Sequence, residues 1–146
     1  MLPLETAIAP FLKVSGFKKK AKTWRRHCPD VIQVLNLQKS PYGDNMYVNL
    51  GVYVRSLGEE QNPPENRCHV QVRLERVTQS EREQCVVAAN ANEVPTQALI
   101  EAILIDGVAW LNDLATLSGI RRYLESGGSK KGLVLHEAAN LAAQAK

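Results

Sequence analysis

Residues 46–55 read Met46-Tyr47-Val48-Asn49-Leu50-Gly51-Val52-Tyr53-Val54-Arg55, and the expected architecture follows from this stretch. Apolar residues occupy every second position, with tyrosine, asparagine and glycine between them. Such alternation is typical of a β-strand that has one face on the core and the other toward solvent. Residues 67–77 alternate in the same way, and residues 31–39 are rich in β-branched and apolar side chains. Together with the extended segment 17–27, they predict an antiparallel meander of about four strands.

The segments on either side of these strands have helical periodicity. Apolar residues within 4–12 follow a helical spacing, although Pro10 predicts a kink or interruption and Gly16 predicts the end of this helix. A longer apolar stripe with a 3.6-residue period lies within 92–114, with a bend expected at Asp106-Gly107. Further short helices are expected over 118–124 and from 134 onward. The sequence therefore predicts an α+β fold, one globular domain over 1–146, with the N-terminal helix and the C-terminal helices packed on one sheet face.

The composition excludes several classes of protein. A chain of 146 residues with 45% hydrophobic residues can bury a core without disulfides or a structural metal. No apolar window reaches the roughly 18 residues of a membrane span, and the N-terminus lacks the basic region of a secretory signal. Three cysteines without CxxC spacing indicate reduced thiols in a cytoplasmic protein. These are Cys28, Cys68 and Cys85.

The polar side of the predicted sheet is the first candidate binding site. If the central strands are neighbours, residues of like parity share one face, where amides, phenols and a guanidinium can bind a partner by hydrogen bonding and stacking. The other interpretation is an ordinary solvated face of a half-buried sheet. The candidate residues are Asn36, Gln38, Tyr47, Asn49, Tyr53, His69, Gln71 and Arg73.

A basic segment is the second candidate. The net charge of +3 hides eight basic and two acidic side chains in residues 1–40, a local charge of +6 against −3 elsewhere. Cations interleaved with Trp24 can bind phosphates and stack on a base. A lysine-rich edge strand that prevents aggregation explains the same residues. The candidate contacts to an anionic partner are Lys18, Lys20, Lys22, Arg25 and Arg26.

No pattern predicts a catalytic residue, a metal site or a cofactor. The adjacent pairs His27-Cys28 and Cys68-His69 contain potential metal ligands, but neighbours on a strand point to opposite faces. The spacing of two to four residues that is usual in zinc sites does not occur. The loop 127–132 differs from a phosphate-binding loop, because Lys130 is followed by Lys131 and no strand is predicted before it.

Four segments in order resemble a known family. They are Gly16-Phe17-Lys18-Lys19-Lys20, Trp24-Arg25-Arg26, the run from Gln33 to Ser40, and Tyr47-Val48-Asn49-Leu50-Gly51-Val52. This order resembles the bacterial domain-of-unknown-function family 4304 over about residues 4–77. The resemblance implies a small bacterial cytoplasmic domain and carries no activity with it. Its motif positions Asn36, Gln38, Asn49 and Gly51 coincide with the polar sheet face.

Three functional hypotheses follow. The first is a non-enzymatic binding protein that presents the polar sheet face to a partner protein, with a toxin-neutralising immunity protein as one form, by analogy with other small α+β proteins. The second is a domain that binds nucleic acid or a phosphate ligand through residues 18–26. The third is a small enzyme with a pocket around His69 and Arg73. A membrane partner is not expected.

Overall fold

The computed structural model describes residues 1–146 and is built on one antiparallel sheet. Six strands lie in the order β1-β2-β3-β4-β5-β6, so each strand pairs with the next along the chain. The alternating stretch forms β4, and β3 pairs with it along its whole length. The strands are β1 (Lys18–Lys20), β2 (Thr23–His27), β3 (Val31–Lys39), β4 (Met46–Val54), β5 (Val70–Arg73) and β6 (Leu133–Val134).

The α+β class and the antiparallel sheet are confirmed, but the expectation of about four strands is wrong. The basic segment is a hairpin of two strands, since the chain reverses at Ala21, whose φ is +55°. The sixth strand has two residues and pairs with β5 through Val70 and Val134. Periodicity cannot reveal a strand of two residues, because alternation needs at least four positions to be recognised.

The N-terminal helix α1 (Pro3–Val14) continues through Pro10 without the predicted interruption. Leu4, Ile8 and Leu12 of its apolar stripe are each at most 1% exposed, whereas Phe11 is 59% exposed. Burial of each such side chain contributes about 2 kcal/mol, so the three together contribute about 6 kcal/mol. This total outweighs the roughly 3 kcal/mol that a proline costs inside a helix. After the helix ends, Gly16 adopts a φ of +93°, as its predicted position requires.

The C-terminal half is helical, with irregular turns between the helices. The predicted stripe within 92–114 begins at Gln97 and contains a π-helical segment, Ala102–Gly107, at the position of the expected bend. The helices are α2 (Glu83–Val87), α3 (Gln97–Glu101), α4 (Val108–Asp113), α5 (Leu117–Glu125) and α6 (His136–Ala143). No helix is long and apolar enough to cross a membrane.

The helices and the core lie on one face of the sheet, as the sequence predicts. Leu35, Leu50 and Val72 point from the strands into the same apolar cluster as Ile103 and Leu111 of the helical layer. The alternating positions of β3, β4 and β5 therefore point to the opposite face. That face carries the polar residues, and we call it the polar face.

Candidate functional site

The register of the strands brings the predicted polar residues together. Across β3 and β4, Asn36 lies opposite Asn49 and Gln38 lies opposite Tyr47. Across β4 and β5, Asn49 lies opposite Arg73, and Gly51 lies opposite Gln71. Since residues directly opposite on one face are close enough to interact, the predicted set is one continuous surface.

One end of this polar face is covered by the chain itself. Residues 58–68 lie between β4 and β5 along the chain and cross the polar face, and we call them the covering segment. Beneath and within this segment, Ile32, Val34, Tyr53 and Cys68 form a second small buried cluster. Gly51 permits this close approach, because a Cβ at this position would lie 2.7 Å from the Sγ of Cys68. Tyr53 and His69 are only 4% and 6% exposed. The structure therefore places these two candidate residues beneath the covering segment.

His69 performs a structural role at the covered end. Its Nδ1 accepts a hydrogen bond of 2.9 Å from the backbone N–H of Val54, and its ring lies 4.7 Å from that of Tyr53. Burial lowers the pKa of His69, so the neutral ring is favoured. The adjacent Cys68 thiol is fully buried, and burial raises its pKa, so it carries little thiolate. Neither residue is available to a substrate in this arrangement.

Two residues of the basic hairpin hold the covering segment in place. The Nε of Arg25 donates to the carbonyl oxygen of Pro63 at 2.9 Å, and the Nε2 of His27 lies 2.7 Å from the carbonyl oxygen of Gln61. Arg26 points to the helical side, where it bonds Gln33 and the carbonyl oxygen of Ser15. Thus Arg25 and Arg26, both predicted to contact an anionic partner, are engaged within the protein.

The lysines of the hairpin divide between the two faces. Lys19 forms an ion pair of 3.0 Å with the buried carboxylate of Glu5 on the helical side. Burial alone would raise the pKa of Glu5, but its bonds to Lys19 and to the N–H of Leu2 lower it below the usual value. Lys18 and Lys20 are exposed, Lys22 is half-buried, and none of the three forms an ion pair. They are the free cations of the predicted basic segment.

The open end of the polar face contains a network of amides. The Nδ2 of Asn49 donates to the Oδ1 of Asn36 at 3.1 Å and to the Oε1 of Gln38 at 3.0 Å. The Nδ2 of Asn36 donates in turn to the hydroxyl of Thr23 at 2.9 Å. These bonds fix the orientation of three amides. They leave the Nε2 of Gln38 and the Oδ1 of Asn49 without a partner in the protein.

Arg73 lies beside this network and is also held in place. Its guanidinium carbon sits 3.9 Å from the centre of the Tyr47 ring, a cation–π contact, and it forms no ion pair. The Nε2 of Gln71 donates to the carbonyl oxygen of Cys68 at 2.9 Å. The contact with Tyr47 restrains the Arg73 side chain, whose guanidinium has five N–H donors with which to bind a partner.

The open end continues into a groove of about 530 Å³, which we call the amide groove. Burial raises the pKa of Glu65 in its wall, against the opposing effect of Arg73. One carboxylate oxygen of Glu75 is buried there without a hydrogen-bond partner. The polar residues that line the groove include Gln38, Asn49, Glu65, Gln71, Arg73, Glu75 and Lys131.

The alternation of residues 67–77 assigns Glu75 to the polar face, but it could not identify two other residues that line the groove. Glu65 and Lys131 lie outside the strands, in segments that have no period from which a facing direction can be read. In the sequence, only the apolar pair Leu133–Val134, after Lys130 and Lys131, indicates that the chain returns to the sheet here. It returns the loop to the sheet beside β5 and so brings Lys131 to the groove.

The chain belongs to the family described as "Domain of unknown function (DUF4304)", whose model matches residues 8–111. The match covers the sheet as far as β5 and the helical segment up to Leu111. No curated protein and no solved structure matches the chain.

Proposed function

We propose that the protein is a non-enzymatic binding protein and that the amide groove receives a segment of a partner protein. The observation that carries this proposal is the restrained polar set at the open end. Asn49, which is only 4% exposed in the lining of the groove, is fixed by two neighbouring amides, and the exposed Arg73 is fixed on Tyr47. Both retain unused hydrogen-bonding groups. A preorganised surface binds with less loss of side-chain entropy than a flexible one.

The residue types favour a protein partner. Tyrosine and arginine are enriched among the residues that dominate protein interfaces, and here Tyr47 and Arg73 are in contact with each other. Side-chain amides and two carboxylates, Glu65 and Glu75, surround them. No serine, cysteine or histidine side chain lines the groove, and this set favours recognition over nucleophilic catalysis.

A photo-crosslinking experiment in the host cell tests the proposal. A photoreactive amino acid replaces Gln38 in the groove or, as a matched control, Gln97 on the helical side, which is also exposed. We expect one defined protein to be linked from position 38 and not from position 97. Adding Arg73→Ala should reduce its yield. Calorimetry with the purified partner should then give an affinity loss of about thirtyfold for Arg73→Ala, as for an interface hot spot.

Equal labelling from both positions would contradict the proposal, as would an affinity that Arg73→Ala leaves unchanged. Arg73→Ala should retain the fold, because an exposed cation–π contact contributes about 0.5–1 kcal/mol. Its thermal unfolding therefore serves as the control for a folding defect.

A toxin is the finer form of this proposal, based on analogy with other small α+β proteins. In that case, co-expression of the protein with the linked partner should restore growth that the partner alone inhibits. Arg73→Ala should fail to restore it. Growth inhibition that the wild-type protein does not relieve would reject a toxin and leave the binding proposal standing.

Nucleic-acid binding is the second candidate, and one observation favours it. Lys18 and Lys20 are exposed, Lys22 is half-buried, and none of the three forms an ion pair. Strand β1 places Lys18 and Lys20 opposite Arg25 and Thr23. Anisotropy of a labelled single-stranded oligonucleotide tests it, with binding expected at about 50 mM salt and lost steeply by about 200 mM. Absence of binding at the lower salt concentration, or equal binding by a Lys18→Gln/Lys20→Gln/Lys22→Gln variant, would reject it.

A further inference from the structure

A second cavity lies in the helical layer, away from the polar face. It has a volume of about 500 Å³ and is formed by α4, α5 and the chain around residues 77–79. That volume is within the range of small-molecule sites in proteins. Of the residues that line the amide groove, only Lys131 also lines this cavity.

One wall of the cavity is rigid. Asp106, in the π-helical segment, accepts hydrogen bonds from the Thr78 hydroxyl at 2.6 Å and the Gln79 N–H at 3.2 Å. Its carboxylate is also paired with Arg82 at 3.1 Å. The negative charge of Asp106 is thus balanced by Arg82, and its hydrogen bonds join Thr78 and Gln79 to the π-helical segment. The carboxylate is therefore unavailable to a ligand. π-Helical turns occur frequently at functional sites.

Two buried polar groups in the wall have no hydrogen-bond partner other than each other. They are the Nε1 of Trp110, a residue that is only 7% exposed, and the hydroxyl oxygen of Tyr123. The two rings are packed edge to face, with centroids 5.6 Å apart. An indole N–H can only donate, so it requires an acceptor. Burial raises the pKa of Tyr123, against the opposing effect of the hydrogen bond from Trp110, so the phenol stays protonated and its own O–H remains free to donate.

The remaining charged side chains of the cavity are mainly positive. Arg122 and Lys131 line its exposed rim. Asp113 is the only unpaired carboxylate in the lining, because Asp106 is paired with Arg82. Apolar groups of Val77, Ala109 and Leu114 form the rest of the lining. The cavity therefore combines one unused phenol donor, a positive rim and an apolar surface.

We propose that this cavity binds a small organic anion with an apolar body. A carboxylate or phosphate oxygen of the ligand accepts a hydrogen bond from the Tyr123 hydroxyl, whose oxygen accepts from the indole of Trp110. Because both polar atoms are enclosed in the wall, entry of the ligand oxygen requires the half-buried Tyr123 ring to shift from its position against Gly128. The positive rim balances the ligand charge, and the apolar lining contacts its body.

The indole N–H signals provide a direct test. The protein has two tryptophans, and Trp24 is fully buried in the core, so its N–H serves as an internal reference. The protein is titrated with benzoate, phenyl phosphate or benzyl alcohol at constant ionic strength, and ¹H–¹⁵N spectra are recorded. The Trp110→Phe variant assigns the Trp110 signal. We expect a saturable shift of the Trp110 signal with at least one anion and a constant Trp24 signal. The preferred anion then distinguishes a carboxylate ligand from a phosphate.

Variants locate the interaction. Tyr123→Phe removes only the hydroxyl and should weaken binding of the preferred anion about tenfold. Arg122→Gln should also weaken it, whereas Arg67→Gln, at the covering segment, should not. The proposal is overturned if neither anion moves the Trp110 signal at about 20 mM, well above the millimolar affinities that small ligands reach. An equal effect of benzyl alcohol, or equal affinity in Tyr123→Phe, would also overturn it.

Discussion

The two ends of the polar face have the same pattern in sequence and opposite roles in the structure. At the covered end, Tyr53 and His69 lie beneath residues 58–68 with their rings in contact, and the Tyr53 hydroxyl accepts a bond from the N–H of Glu60 in that segment. At the open end, Asn49 is itself only 4% exposed, but Gln38 and Arg73 beside it are exposed and retain unused polar groups. Alternation places a side chain on a face, but only the chain that crosses that face decides whether a partner can reach it.

Paired tyrosine variants on β4 should give the largest difference between the two ends. Tyr53→Ala removes a ring that is 4% exposed and a hydroxyl that accepts a bond from the N–H of Glu60. It should lower the free energy of unfolding by about 3 kcal/mol. Tyr47→Ala should lower it by less than about 1 kcal/mol. Urea denaturation measures both, and equal losses would show that the two ends are not distinct.

Two glycine variants test the close approach of the covering segment. Gly51→Ala puts a Cβ 2.7 Å from the Sγ of Cys68, whereas Gly43→Ala meets nothing within 4 Å. Overpacking should cost about 1–3 kcal/mol for Gly51→Ala, with no loss expected for Gly43→Ala. In a Cys68→Gly background, which removes the side chain that the new Cβ would meet, Gly51→Ala should cost less stability than it does in wild type. Strict additivity of the two changes would argue against this contact.

The covered end should also make stability depend on pH. Burial lowers the pKa of His69 in the folded state, so below the ordinary histidine pKa the unfolded chain takes up a proton that the folded chain does not. This contribution is fully present above about pH 6.5 and is lost as the pH falls toward the folded-state pKa. Its slope cannot exceed about 1.4 kcal/mol per pH unit.

The measurement compares wild type with His69→Gln by denaturant unfolding at pH 7.5 and 5.0, values about one unit above and one and a half units below the ordinary histidine pKa. Wild type should lose more stability than the variant between these two conditions. The same loss in both proteins would assign the pH dependence to other groups.

Thiol labelling gives the smallest but most local readout of the covered end. Cys68 is fully buried and burial raises its pKa, while Cys28 and Cys85 are partly exposed. In native protein at about pH 8, an alkylating reagent should modify Cys68 last, as mass spectrometry of the peptides would show. Arg25→Ala removes the bond to Pro63 and should accelerate labelling of Cys68 more than that of Cys85. Prompt labelling of Cys68 in wild type would contradict the covered end.

Much of the sheet and of the open end can be predicted from alternation. The parity of residues 46–54 assigns Tyr47 and Asn49 to one face and Val48 and Leu50 to the other, as the register confirms. The two-residue strand β6 and the division of the basic segment into a hairpin could not be predicted. Strands this short form because a neighbouring strand offers hydrogen bonds, and their own side chains carry no period.

The sequence by itself determined which side chains share a face, because the direction of side chains along a strand has a period of two. It also determined that the helical stripes must cover the apolar face, since both surfaces are buried only by packing together. The tertiary structure alone decided which half of the polar face remains open. The bond between Arg25 and Pro63 joins residues 38 positions apart, and the segment that it holds has no regular period. Such a contact forms only when the whole sheet is assembled, so no local pattern records it.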